Sequence, residues 1–190
     1  MLRQLIILTV IGSASLRAQD RPAATQIAGA VLPLPDSLKA GAAVLGYQGG
    51  KLVQLRAGTN DMICLADSPA DSTFAASCYH RSLEPFMARG RALREGGMKR
   101  QAIDSARKAE VEGGSLTMAK GPAMLYSVFA SNDRFDPAGG MPANSGALDV
   151  IYLPYATTAT TGISSQPSDK RPWLMHPGEY RAHVMIPIKN

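Results

Sequence analysis

Two cysteines, Cys64 and Cys78, constrain this chain more than any other feature, because a bond between them would pin two strands at one register. Met62-Ile63-Cys64-Leu65-Ala66 and Thr73-Phe74-Ala75-Ala76-Ser77-Cys78 both read as short strands. Between them, Asp67-Ser68-Pro69-Ala70-Asp71-Ser72 is turn chemistry. A hairpin about that turn sets the cysteines opposite one another. In an exported chain an even pair is read first as a disulfide. Closing a loop of this size stabilises by roughly 3 kcal/mol in the chain-entropy description. A redox or metal role is disfavoured, because the spacing is far from Cys-x-x-Cys.

Export is expected from the first residues. Met1-Leu2-Arg3-Gln4 is a basic lead, Leu5 to Leu16 is an apolar run, and small residues precede the polar stretch from Gln19. That order is the signal-peptide pattern, with cleavage expected after Ala18 and after Ser15 as the alternative. A membrane span needs ~20 apolar residues, and this run is shorter. The expected divisions are therefore a signal at 1–18, a Pro/Ala-rich arm at 19–36 and one domain at 37–190. The predicted location is periplasmic or secreted, with no transmembrane segment after cleavage. Losing Arg3 and Arg17 lowers the formal charge from +5 to +3. The remaining length is ample for a single core.

The pattern beyond the arm predicts an α+β fold. Ala43 to Tyr47 and Lys51 to Arg56 flank the hairpin signal Gln48-Gly49-Gly50, so residues 43–78 read as a meander of four strands. Ser82 is a suitable N-cap, with Glu84 and Pro85 in the first turn. Leu83, Phe86, Met87, Gly90 and Leu93 follow at helical spacing and predict an apolar stripe, ended by Gly96-Gly97. Gly90 within the stripe implies close approach of the helix to a sheet. A second helix is expected from Lys99 to Glu112. Strands are then expected at 123–130, 147–153 and 181–188, giving a mostly antiparallel sheet packed with one or two helices.

Asn60-Asp61-Met62-Ile63-Cys64, Cys78-Tyr79-His80, the segment Leu83 to Arg91 and Pro172-Trp173-Leu174-Met175 resemble segments of a bacterial family of exported proteins with no assigned activity. The resemblance spans most of the mature chain. It implies export and a single domain, and it supplies no catalytic residue.

Chemistry is sparse. His80, Arg81 and Glu84 form a candidate polar site at the strand-to-helix junction, where a helix start favours anions and an imidazole can move protons. The competing reading is that His80 merely orients the turn. His176, Glu179 and His183 are suitable zinc ligands by type, but Pro177-Gly178 forbids the helical spacing of zincins, and His183 is expected to face outward from a strand. Metal is therefore not favoured, and no cofactor motif is present. Residues 81–108 carry a local +5, expected to spread over a solvated face with Arg91 pairing Glu95. Nucleic acid is disfavoured by export and by few interleaved aromatics. The sequence thus favours a non-enzymatic exported module binding a small ligand or an envelope partner. The alternative is a hydrolase-like or metal-assisted enzyme using His80 or the His176/Glu179/His183 group. The two differ in whether His80 and segment 176–183 converge in one pocket.

Overall fold

The computed structural model describes residues 20–131, 135–142 and 145–188. The expected signal, residues 1–18, lies outside the described residues, as do Asn132 and Asp133 of the loop before residue 146. Gly49 and Gly50 take φ of 60° and 74° between β1 (Ala43–Gln48) and β2 (Lys51–Arg56), as a two-residue hairpin turn requires. β3 (Met62–Leu65) and β4 (Phe74–His80) then pair antiparallel, with Cys64 facing Cys78. A disulfide joins the two, with Cα atoms 4.0 Å apart, and both residues are fully buried.

Residues 43–78 do not form the expected meander. β1 lies between β2 and β3 and pairs with β3 in parallel. Residues 57–61 carry the chain across the start of β1, where the Gly41 carbonyl accepts the N–H groups of Thr59 (2.7 Å) and Asn60 (3.0 Å). The crossing is tight. A Cβ on Gly58 would lie 2.7 Å from the Ala43 nitrogen. Glycine at this point admits a pairing that hairpin signals alone do not reveal.

The rest of the sheet is antiparallel. β5 (Ala123–Ala130), β6 (Gly146–Tyr152), β7 (Trp173–Met175) and β8 (His183–Ile188) complete an eight-stranded order of β2-β1-β3-β4-β5-β6-β8-β7. β8 starts two residues later than expected, because the Ala182 N–H bonds the Glu179 carbonyl and holds 179–182 in a turn. The fold is a single α+β domain.

Both sheet faces are covered. The segment expected as an arm instead holds α1 (Ala23–Ala30) and a helical turn, α2 (Asp36–Lys39). Ala30 and Leu34 pack with Val44, Cys64 and Cys78 in one core cluster, so this segment belongs to the domain. Proline does not break α1, because Pro22 precedes its first turn and Pro33 follows its end. The opposite face carries α3 (Glu84–Glu95) and α4 (Arg100–Glu112), where Tyr79, Leu83, Phe86, Ala123 and Tyr180 form a second cluster. Leu93 was expected with them and is only half-buried, near the end of α3. Gly90 is buried against α4 rather than a sheet, since a Cβ there would lie 2.8 Å from Arg107 Nη1. Within the loop from 153 to 172, Thr157 caps a short helix, α5 (Thr158–Thr161).

Candidate functional site

His80 ends β4 and begins the next turn. Its Nδ1 accepts the Ser82 N–H at 3.2 Å and lies 2.8 Å from Ser82 Oγ, so His80, not Ser82, is the capping residue. Arg81 turns back to Asp61, with Nε 3.0 Å from the carboxylate. Glu84 is held by Arg91 Nη2 at 2.6 Å and accepts the Tyr79 hydroxyl, which itself accepts from Arg91 Nη1 at 2.7 Å. Burial first, then the Glu84 carboxylate, pushes the Tyr79 phenol well above its ordinary range. Arg91 therefore reaches seven residues back to Glu84 rather than forward to Glu95. His80, Arg81 and Glu84 each serve the strand-to-helix junction, and none of them lines the cavities described below.

The other candidate group does assemble. His176 adopts φ of 55°, and the following turn brings its ring centroid to 5.8 Å from that of His183. His176 Nδ1 lies 3.7 Å from Glu179 Oε1. His183 is half-buried beside Tyr152, ring centroids 5.0 Å apart, rather than facing outward. Its Nδ1 lies 2.7 Å from the Arg181 carbonyl, which only accepts, so that nitrogen carries the proton. Burial lowers the affinity of both imidazoles for a proton; the Arg181 charge adds to this at His176, while at His183 the hydrogen bond to the Arg181 carbonyl opposes it. Among the described residues no group of three or more His, Cys, Asp or Glu side chains is placed to hold a metal ion.

His80 and segment 176–183 do not converge. Along the sheet, β4 and β8 are three strand positions apart, roughly 14 Å at the usual spacing. The register also puts them on opposite faces. His80 follows the Cys78 side, whereas His183 follows Tyr152 and Ala123 on the Tyr79 side.

What lies beside the second group is a cleft that sequence reasoning missed. Arg100, Gln101, Asp104, Ser105 and Lys108 fall on one stripe of α4 and face Tyr180 and Arg181 across a space of about 490 Å³. Asp104 accepts from Arg107 Nη2 at 2.9 Å and lies 3.3 Å from Arg181 Nη1. Despite partial burial, these two guanidinium groups hold its carboxyl below the ordinary range. Arg181 also meets Glu179 at 3.2 Å. Arg107 stacks over the Phe86 ring at 4.0 Å. The signal available in the sequence was the i, i+4, i+8 spacing of Arg100, Asp104 and Lys108. Its partner segment was invisible, because only the fold brings residues 180 and 181 against α4.

Two further cavities are less distinctive. One of about 150 Å³ lies between α1 and β1, with Gln26, Tyr47 and Phe74 among its walls. The other, about 580 Å³, runs under the second half of α3, where Lys51, Arg91 and Arg94 balance Asp67, Asp71 and Glu95. Among the described residues no helix is long and apolar enough to cross a membrane. In comparison with known proteins, the chain matches no family model, no curated protein and no solved structure.

Proposed function

We propose that this chain is a non-enzymatic exported module that binds a small ligand in the cleft between α4 and the Tyr180–Arg181 turn. One observation carries the reading: the two candidate reactive groups singled out in the sequence lie on opposite faces of the sheet, while a polar cleft of ligand size stands open beside one of them. A nucleophile with an activating base is what an enzyme of the alternative class requires, and the cleft lining offers Ser105 without a histidine. The buried disulfide fits an oxidising compartment and supports the expectation of export. Resemblance to exported proteins of no assigned activity points the same way.

The test is an amide NMR titration of the mature protein with glucose, glycine, acetate and inorganic phosphate, alongside assays with 4-nitrophenyl acetate and 4-nitrophenyl phosphate. The expected result is saturable shifts confined to residues 100–108 and 179–182, without hydrolysis. Hydrolysis lost on changing His183→Ala or His80→Ala would overturn the reading and favour the enzyme.

A further inference from the structure

The walls of the α4 cleft carry more information than its size. Its acid, Asp104, is already engaged by Arg107 and Arg181, and the second acid nearby, Glu179, is engaged by Arg181. Those four side chains cancel in charge. What remains is Arg100, which makes no ion pair with any described residue, and Lys108, whose nearest acid is Glu112 at 3.9 Å. Both are exposed, two helical turns apart on the same stripe and on either side of Ser105. Their side chains are long enough to lean toward one guest between them.

Two more features agree. The Tyr180 hydroxyl is buried with no hydrogen-bond partner, in a residue only 2 % exposed that lines the cleft. A buried polar group left unpaired is costly, and an acceptor oxygen is the complement to the hydroxyl proton. The cleft also begins at the first turn of α4, a helix of 13 residues whose cap residue, Lys99, provides no side-chain acceptor. Its leading N–H groups and dipole favour negative charge at that end.

We infer that the cleft binds a small organic anion of sugar size through a carboxylate or phosphate, held by Arg100 and Lys108 with the Tyr180 hydroxyl as donor. This inference rests on the binding reading above and adds the chemical class of the ligand. Because both cations are exposed, recognition is salt-sensitive.

Calorimetric titrations of the full mature protein with D-glucuronate, glucose 6-phosphate and glucose test this in low salt. Binding of at least one of the two anions, with glucose at least about tenfold weaker, is expected for a charge-assisted contact. The comparison of the two anions tells carboxylate from phosphate. The double variant Arg100→Gln/Lys108→Gln should lose that binding with its melting temperature unchanged, since both side chains are exposed. Arg94→Gln, on α3, should keep it. Glucose binding as tightly as the anions would overturn the inference and leave the binding module standing. Anion binding that survives the double variant, or no anion binding at all, would also overturn it, and the neutral probes of the earlier titration would then decide the binding reading alone.

Discussion

Gln26 is the buried polar side chain of α1, and it completes the sheet where β3 stops short. Beyond Leu45, whose carbonyl accepts the Ala66 N–H, β1 has no strand on its β3 side. There the Gln26 amide takes both backbone groups of Tyr47, accepting its N–H at 2.7 Å and donating to its carbonyl at 2.9 Å. Gly46 makes room, since a Cβ at that position would lie 2.6 Å from Gln26 Oε1. Gln26→Leu should therefore cost about 1–3 kcal/mol by stranding those groups, read as a lower urea midpoint at unchanged slope. The histidine pair yields a second expectation. Both imidazoles are harder to protonate folded than unfolded, so the unfolded chain binds more protons in mild acid. Stability should thus fall as pH drops through about 6.5, the unfolded value, toward 5. Thermal melts across that range should show the decline, and His183→Gln should flatten it. The histidine group was legible as a cluster of residue types close in sequence, but the Gln26 contact was not. Gln26 sits between prolines in an Ala-rich stretch that looks like an arm, and its partner is 21 residues away. The cysteine pair was legible, because strand, turn and strand all lie within one short segment.

At the scale of elements, the α3 stripe and its junction separate packing from capping. Phe86 is buried against Tyr180 and beneath Arg107, so Phe86→Ala should cost about 3–5 kcal/mol. His80→Ala removes only a cap on the Ser82 N–H and should cost about 0.5–2 kcal/mol. Urea unfolding of the two variants checks the order, and a larger loss at His80 would contradict the packing described for α3. Helical periodicity revealed α3 and α4 because each has one buried side, and glycines mark both ends. The fate of individual positions was harder to read. Leu93 has the right spacing, but it sits in the last turn of α3 and stays half-buried. β7 escaped notice because three residues cannot establish an alternation, and α5 because its helix-forming signal is a threonine cap within a polar loop.

The described residues form one sheet with a helical layer on each face, and the disulfide joins neighbouring strands near its middle. Replacing both cysteines with alanine should lower stability by about 3 kcal/mol, given a closed loop of about 15 residues, without altering the fold. Urea unfolding of the variant beside the oxidised and reduced parent protein measures this. The class of fold was readable from the order of strands, helices and strands. The path through the sheet was not, because the parallel contact of β1 with β3 depends on where residues 57–61 cross, and no local pattern encodes that.

That crossing also sets an order in time. The β1–β2 and β3–β4 hairpins are each closed by nearby residues, and contacts so short in sequence form early. The parallel seam between them needs the chain to pass over the entry to β1, so it is expected to close later, and the α1 face it shares with Val44 and Cys64 is completed with it. Oxidation does not have to wait for either event, since both sulfurs belong to one hairpin. With two cysteines there is a single intramolecular pairing. A chain oxidised while still half-assembled therefore carries the native bond from the outset, and needs no isomerase to correct it.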